Sequence, residues 1–182
     1  MAIGDLDARP LIPHLDQLVQ TVRAADTNPG SHLHGEAHWK CVAWSGLQLV
    51  RAVPDSNAEV TFLFGLFHDS QRRDDGHDPD HGRRAADFVR RIHGEHFTLA
   101  ARSLDLLLEA CAGHVDGLTH NDPTIGLCWD ADRLNLWRIG VKPQPRFLST
   151  PAARDPDVIA RSRALDGQHK SWQAIWDLGP IT

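Results

Sequence analysis

Along most of this chain apolar residues recur at intervals of three and four rather than two, the spacing of helices that bury one face. Leu15, Leu18, Val19 and Val22 make the first such stripe, in a helix expected from near Pro10 with Pro13 in its opening turn. A loop, Thr27 to Ser31, separates it from a second helix predicted over Glu36 to Val53, with Ala37, Cys41, Trp44, Leu47 and Val50 on its apolar side. Pro54-Asp55-Ser56-Asn57 breaks that helix, and Asp55 or Ser56 is placed to cap the next. The third, about Ala58 to Ser70, is apolar on almost every side and is expected at the centre of the core.

Arg72 to Pro79 is rich in Asp and Gly and reads as a loop. Helix four is predicted from about Asp80 to Ile92, and helix five from near Thr98, carrying Leu99, Leu104, Leu107, Leu108 and Cys111. A polar loop, Asp116 to Pro123, leads to a helix over Thr124 to Arg138. Gly140, Pro143 and Pro145 impose an irregular segment to about Thr150. Asp155-Pro156 then starts a last helix running to about residue 177, where Gly179-Pro180 stops it. The expectation is an all-α fold of roughly eight helices or fewer, without repeats, in a single domain of 182 residues.

A net charge of -5 and a pI near 6.1 argue against general affinity for nucleic acid polymers or anionic membranes. Cys41, Cys111 and Cys128 form no CxxC spacing and fit buried thiols in a reducing cytosol. No basic region followed by an apolar stretch opens the chain, and no apolar run approaches about 20 residues. A soluble cytoplasmic protein is therefore expected. Trp172 and Trp176 either pack the last helix back on the core or make a homodimer contact, with packing the preferred reading.

The candidate chemistry lies in His38, His68-Asp69, His81, His114 and Asp132, each on or beside a predicted helix. Facing helices can bring such side chains to one ion. Imidazole and carboxylate suit a divalent cation, with Mn, Fe, Ni, Zn, Co and Mg not distinguished by the ligands. No cysteine stands near them at a regular spacing, which disfavours a structural zinc site and favours a catalytic one. His34, four residues before His38 at the helix start, is expected to face substrate or to hydrogen-bond behind the ligands. His77, in the Asp-rich loop, is a lesser candidate.

These residues resemble the HD superfamily of metal-dependent phosphohydrolases, in the order His38, His68-Asp69, Asp132. His38-Trp39-Lys40-Cys41-Val42 resembles its first histidine with a valine four residues on. Leu63 to Asp69 resembles its apolar run into the His-Asp pair, and Asp130-Ala131-Asp132-Arg133-Leu134 its closing segment. The segments around His81 and His114 resemble two further histidine motifs, and the likeness spans about residues 30 to 140. His34-Gly35 followed by His38-Trp39 is similar to a bacterial subgroup of HD-domain proteins.

The resemblance implies an HD-type helical bundle with one or two divalent metal ions. His38, His68, Asp69 and Asp132 would hold one, and His81 and His114 a second, bridged by Asp69. The implied reaction is hydrolysis of a small phosphate ester or nucleotide, with Asp69 and Arg72 in catalytic roles. His34, Arg133 and Lys142 would contact substrate, Arg133 having a structural role as its other reading. A di-iron oxygenase and a metal- or nucleotide-binding module without turnover are the alternatives. Ser70, Gln71, Arg72 and Arg73 stand where nucleotide- and alarmone-acting branches place an acid, and Asp74 and Asp75 come first after them. The Gly-Tyr-Pro of cyclic-dinucleotide phosphodiesterases is absent, the chain having no tyrosine.

Overall fold

The computed structural model describes residues 12–164 and 167–178; the expected helix start at Pro10 and the stop at Gly179-Pro180 lie outside them. The described residues form nine α-helices and no strand. Helix α1, Leu15–Ala25, buries Leu15, Leu18, Val19 and Val22, the stripe read from the sequence. Helix α2, Glu36–Leu49, continues as a 3-10 turn over Val50–Ala52. Helix α3, Ala58–Phe67, begins at Asn57, whose side chain accepts from the Val60 amide. Asp55 and Ser56, expected as caps, lie in the turn before it, Asp55 at φ 64.

Every residue from Val60 to Phe67 is buried, because α2, α5 and α6 surround α3 with further contacts from α1 and α4. A residue without a polar face has no stable position except such a centre. Helix α3 ends three residues earlier than expected, and His68-Asp69-Ser70 continue as turns held by His68 N→Phe64 O and Ser70 N→Phe67 O. Gly65 makes the α2 contact close: a Cβ there would stand 2.6 Å from the Ala43 amide nitrogen.

Helices α4, His81–Ile92, and α5, Ala101–Gly113, pack on each other beyond α3. Helix α6, Pro123–Leu134, has Asp122 as a cap accepting from Thr124 and Ile125 amides, and a 3-10 turn over Leu136–Ile139 extends it. A short helix not anticipated, α7 at Pro151–Arg154, forms where Thr150 caps Ala153 and Pro151 takes the first position. Helix α8, Pro156–Ser162, starts at Asp155-Pro156 as expected.

The single last helix expected over 155–177 is two, α8 and α9, Trp172–Leu178. Gly167, in the stretch between them, packs closely on α2: a Cβ there would lie 2.5 Å from the Lys40 carbonyl oxygen. Ser171 then restarts the helix through its hydroxyl and the Ala174 amide. Trp172 and Trp176 are buried against Phe62 at ring distances of 5.6 and 5.1 Å. The indole of Trp172 also donates to Glu36 at the start of α2.

Candidate metal centre

Helix ends bring the site together. His38 lies in the first turn of α2, His68-Asp69 follow α3, His81 opens α4, His114 follows α5 and Asp132 lies near the end of α6. His38 Nε2 lies 3.2 Å from both His68 Nε2 and Asp132 Oδ1. Asp69 Oδ2 lies 3.6 and 3.7 Å from the same two ring nitrogens. Ligands about 2.1 Å from one ion stand roughly 3.0 Å apart in octahedral and 3.4 Å in tetrahedral geometry. The spacing therefore fits a single cation.

The other oxygen of the same carboxylate serves a second group. Asp69 Oδ1 lies 3.1 Å from His81 Nε2 and 3.6 Å from His114 Nε2, which are 2.9 Å from each other. Backbone carbonyls fix the rings from behind. His68 Nδ1 faces Phe64 O and Gly65 O, His114 Nδ1 faces Cys111 O at 2.7 Å, and His81 Nδ1 faces Asp78 O at 2.5 Å. A ring that donates Nδ1–H to a carbonyl turns its Nε2 lone pair inward, the arrangement that orients a metal-ligating histidine. His38 Nδ1, by contrast, is buried without a hydrogen-bond partner among the described residues.

Charge and burial favour a cation here. Burial drives His68 down to about 3, outweighing the neighbouring carboxylates. Burial and Arg138 lower His38, against the pull of Asp132. Desolvation would raise Asp69, but His68 and the hydrogen bonds from His114, His34 and His81 hold it well below the usual carboxylate range. Asp132 is likewise lowered, His38 and His68 outweighing burial. His114 goes the other way: burial lowers it, yet its bond to Asp69 prevails and its pKa is raised. Without an ion, a proton on His114 thus takes part of the role that a cation would fill.

No protein-family model and no curated protein matches this chain. Among solved structures it is similar to a crystal structure of a predicted HD superfamily hydrolase from an uncultured Thermotogales bacterium. The two share 19% sequence identity at a TM-score of 0.60, over 84% of this chain and 86% of that one. The fold is of the HD type.

Around this centre the other expected site residues fall into distinct places. Arg72 is buried, its Nη1 3.9 Å from Asp69 Oδ1, while Nε and Nη2 donate to Asp74 O and Gly76 O. It thereby ties the Asp-rich loop over His81. His34 Nδ1 lies 2.9 Å from Asp69 Oδ2, beside the ligands, and its carbonyl accepts from the Trp39 indole. Asp74, Asp75 and His77 are exposed in the loop, with Asp75 bonded to Asn28 and Ser31.

Two of the expected substrate contacts have other neighbours. Arg133 donates to the carbonyls of Gly117 and Phe147 and stacks over Trp129, contacts that suit its structural reading. Lys142 is exposed beside Pro143 and Pro145, in a groove that Trp137 and Arg163 also line. Asp130, the first aspartate of the closing segment, accepts from Ser149 and Thr150 and anchors the approach to α7.

Arg138 has no place in the sequence reading, yet its Nη2 lies 3.4 Å from His34 Nδ1 and its charge bears on His38 and Asp132. It lies in the 3-10 turn after α6, where its Nε and Nη1 donate to Leu33 O and Asn135 O. A lone arginine six residues after Asp132 was the available sign. No helix of the described residues is long and apolar enough to cross a membrane.

Proposed function

We propose that this chain is a metal-dependent phosphohydrolase acting on a small phosphate ester or nucleotide. The observation that carries the reading is the Asp69 carboxylate, whose two oxygens meet separate pairs of buried imidazoles between the guanidiniums of Arg72 and Arg138. His38, His68 and Asp132 would hold one divalent cation, with Asp69 Oδ2 3.6 and 3.7 Å from the two imidazoles as a fourth donor, and Asp69, His81 and His114 would hold a second. Such a cation supplies Lewis acidity toward a phosphoryl oxygen and lowers the pKa of water.

The protein's part is to keep the ligands available and the substrate charge compensated. Neutral His38 and His68 and ionised Asp69 and Asp132 present lone pairs at neutral pH. Arg72 and Arg138 stand on opposite sides of the cluster to offset charge on the transferring oxygens. His34 steadies the Asp69 oxygen that faces His38. In the reaction the oxygen of a water bonds to phosphorus, the ester P–O bond breaks, and the alcohol oxygen takes up a proton.

Protein reconstituted with Mn, Mg, Ni or Co should release phosphate from a panel of phosphate esters and nucleotides, and Asp69→Asn should not. A folded protein that takes up none of these metals would sink the reading. The close His81–His114 pair also favours a second one, a di-iron oxygenase. That reading requires two irons per chain and oxygen uptake with an organic substrate; an iron-loaded protein that consumes no oxygen removes it.

A further inference from the structure

A cavity of about 530 Å³ opens beside His38, between α2, the residues after α6 and the end of α8. Its size falls in the range of small-molecule sites. Arg138 and Arg163 line it with His32, Asn135 and Trp137, and no described lining residue is an Asp or Glu. In a chain where 24 acids outnumber 19 basic residues, the described lining residues are a local reversal of charge.

The two arginines sit differently. Arg138 is pinned by its bonds from Nε to Leu33 O and from Nη1 to Asn135 O. A guanidinium carries five N–H groups, so further donors remain at the edge of the metal centre. Arg163 lies over the Trp137 ring, 5.6 Å from its centroid, and is exposed. It makes no ion pair with a described carboxylate. A phosphoryl group at His38 and Asp132 would engage Arg138 and leave the cation at Arg163 for another negative group.

Resting on the phosphohydrolase reading, we propose that this cavity receives the remainder of the substrate. It selects phosphate esters whose alcohol carries a second anionic group, phosphate or carboxylate, with Arg163 as the residue that recognises it. Arg138 lies between the two anions, and the Trp137 face bounds the carbon skeleton.

Matched pairs test this by calorimetric titration and phosphate release with the Mn-loaded protein. Glycerol 3-phosphate against 3-phosphoglycerate adds a carboxylate; fructose 6-phosphate against fructose 1,6-bisphosphate adds a phosphate. The two-anion member of at least one pair should bind about tenfold tighter or more, as expected for a charge-assisted hydrogen bond, and the pair that discriminates names the anion. Arg163→Gln should bring that ratio toward one, and Arg163→Lys should restore part of it. Arg163 is exposed, so neither change threatens the fold.

Equal affinities within both pairs, no binding of any of the four, or a ratio indifferent to Arg163→Gln overturns the proposal. Discrimination in binding without phosphate release from any ester leaves the cavity assignment standing and removes the phosphohydrolase reading. Equal binding and equal release from both members of each pair does the reverse.

Discussion

Replacing Gly65 with alanine tests how the closest helix contact supports the metal centre. The added Cβ would stand 2.6 Å from the nitrogen and the Cβ of Ala43 and 2.7 Å from its Cα. Non-bonded carbons rest at about 3.5–4.0 Å, so α2 and α3 must part locally by roughly 1 Å. Two of the three opposing atoms are backbone, which no rotamer change can remove. Alanine recovers about 1 kcal/mol of helix propensity, against roughly 1–3 kcal/mol for overpacking. A net loss of up to about 2 kcal/mol is expected. Gly65 lies three residues before His68, and Ala43 five after His38, so the shift falls between ring nitrogens now 3.2 Å apart. Metal affinity should fall by about 10- to 100-fold, the scale seen when ligand orientation is disturbed. Urea unfolding followed by tryptophan fluorescence measures the first effect and calorimetric metal titration the second. Gly30→Ala, with nothing within 4 Å of the added carbon, is the control. A Gly65→Ala protein that matches wild type in both stability and metal affinity would refute the reasoning.

The metal-free protein should lose stability on acidification. His68 has a folded value of about 3 against about 6.5 unfolded, so the unfolded chain binds the extra proton between those limits. Stability from this group is full above about pH 6.5 and falls by roughly 1.4 kcal/mol per pH unit below it. The raised His114 acts only above that window, so it does not offset the loss. A urea midpoint in chelator that stays level from pH 6.5 to 5 contradicts this. Elemental analysis after reconstitution should find two ions per wild-type chain and one in His81→Ala; an unchanged count argues against a second half-site. Asp69→Asn should hold neither ion, and retention of a full complement would overturn the bridging role. Arg133→Ala should cost about 2–3 kcal/mol by leaving two carbonyls without their donor, with metal affinity unaltered. Weakened metal binding there would return Arg133 to the site.

The elements most visible in the sequence were those governed by burial. An apolar run with no polar face, Val60 to Phe67, could sit only at a centre, and Asp155-Pro156 and Pro123 carried local helix-start chemistry. The ligand candidates were legible because the helices deliver them at their ends, next to the breaks that Gly, Pro and polar residues announce. What escaped was tertiary in origin. The close approach of Gly167 to Lys40 is a contact that no local pattern encodes. Lys142 and Arg138 illustrate the same point from opposite sides. Both follow Asp132, but Arg138 lies in a 3-10 turn beside His34, whereas Lys142 is exposed beside Pro143. Arg133 faced a choice between substrate and backbone carbonyls that only the path of the loops at Gly117 and Phe147 decides.

The shared carboxylate of Asp69 has a consequence for how the two halves behave as a pair. In the two-ion reading, an ion at Oδ2 would compete with the His34 contact and draw charge from Oδ1, which His81 and His114 face. By thermodynamic reciprocity, whatever factor one ion imposes on the affinity of the other is returned in equal measure. Occupancy is then a joint property, and a titration reports the coupling before it reports either intrinsic constant.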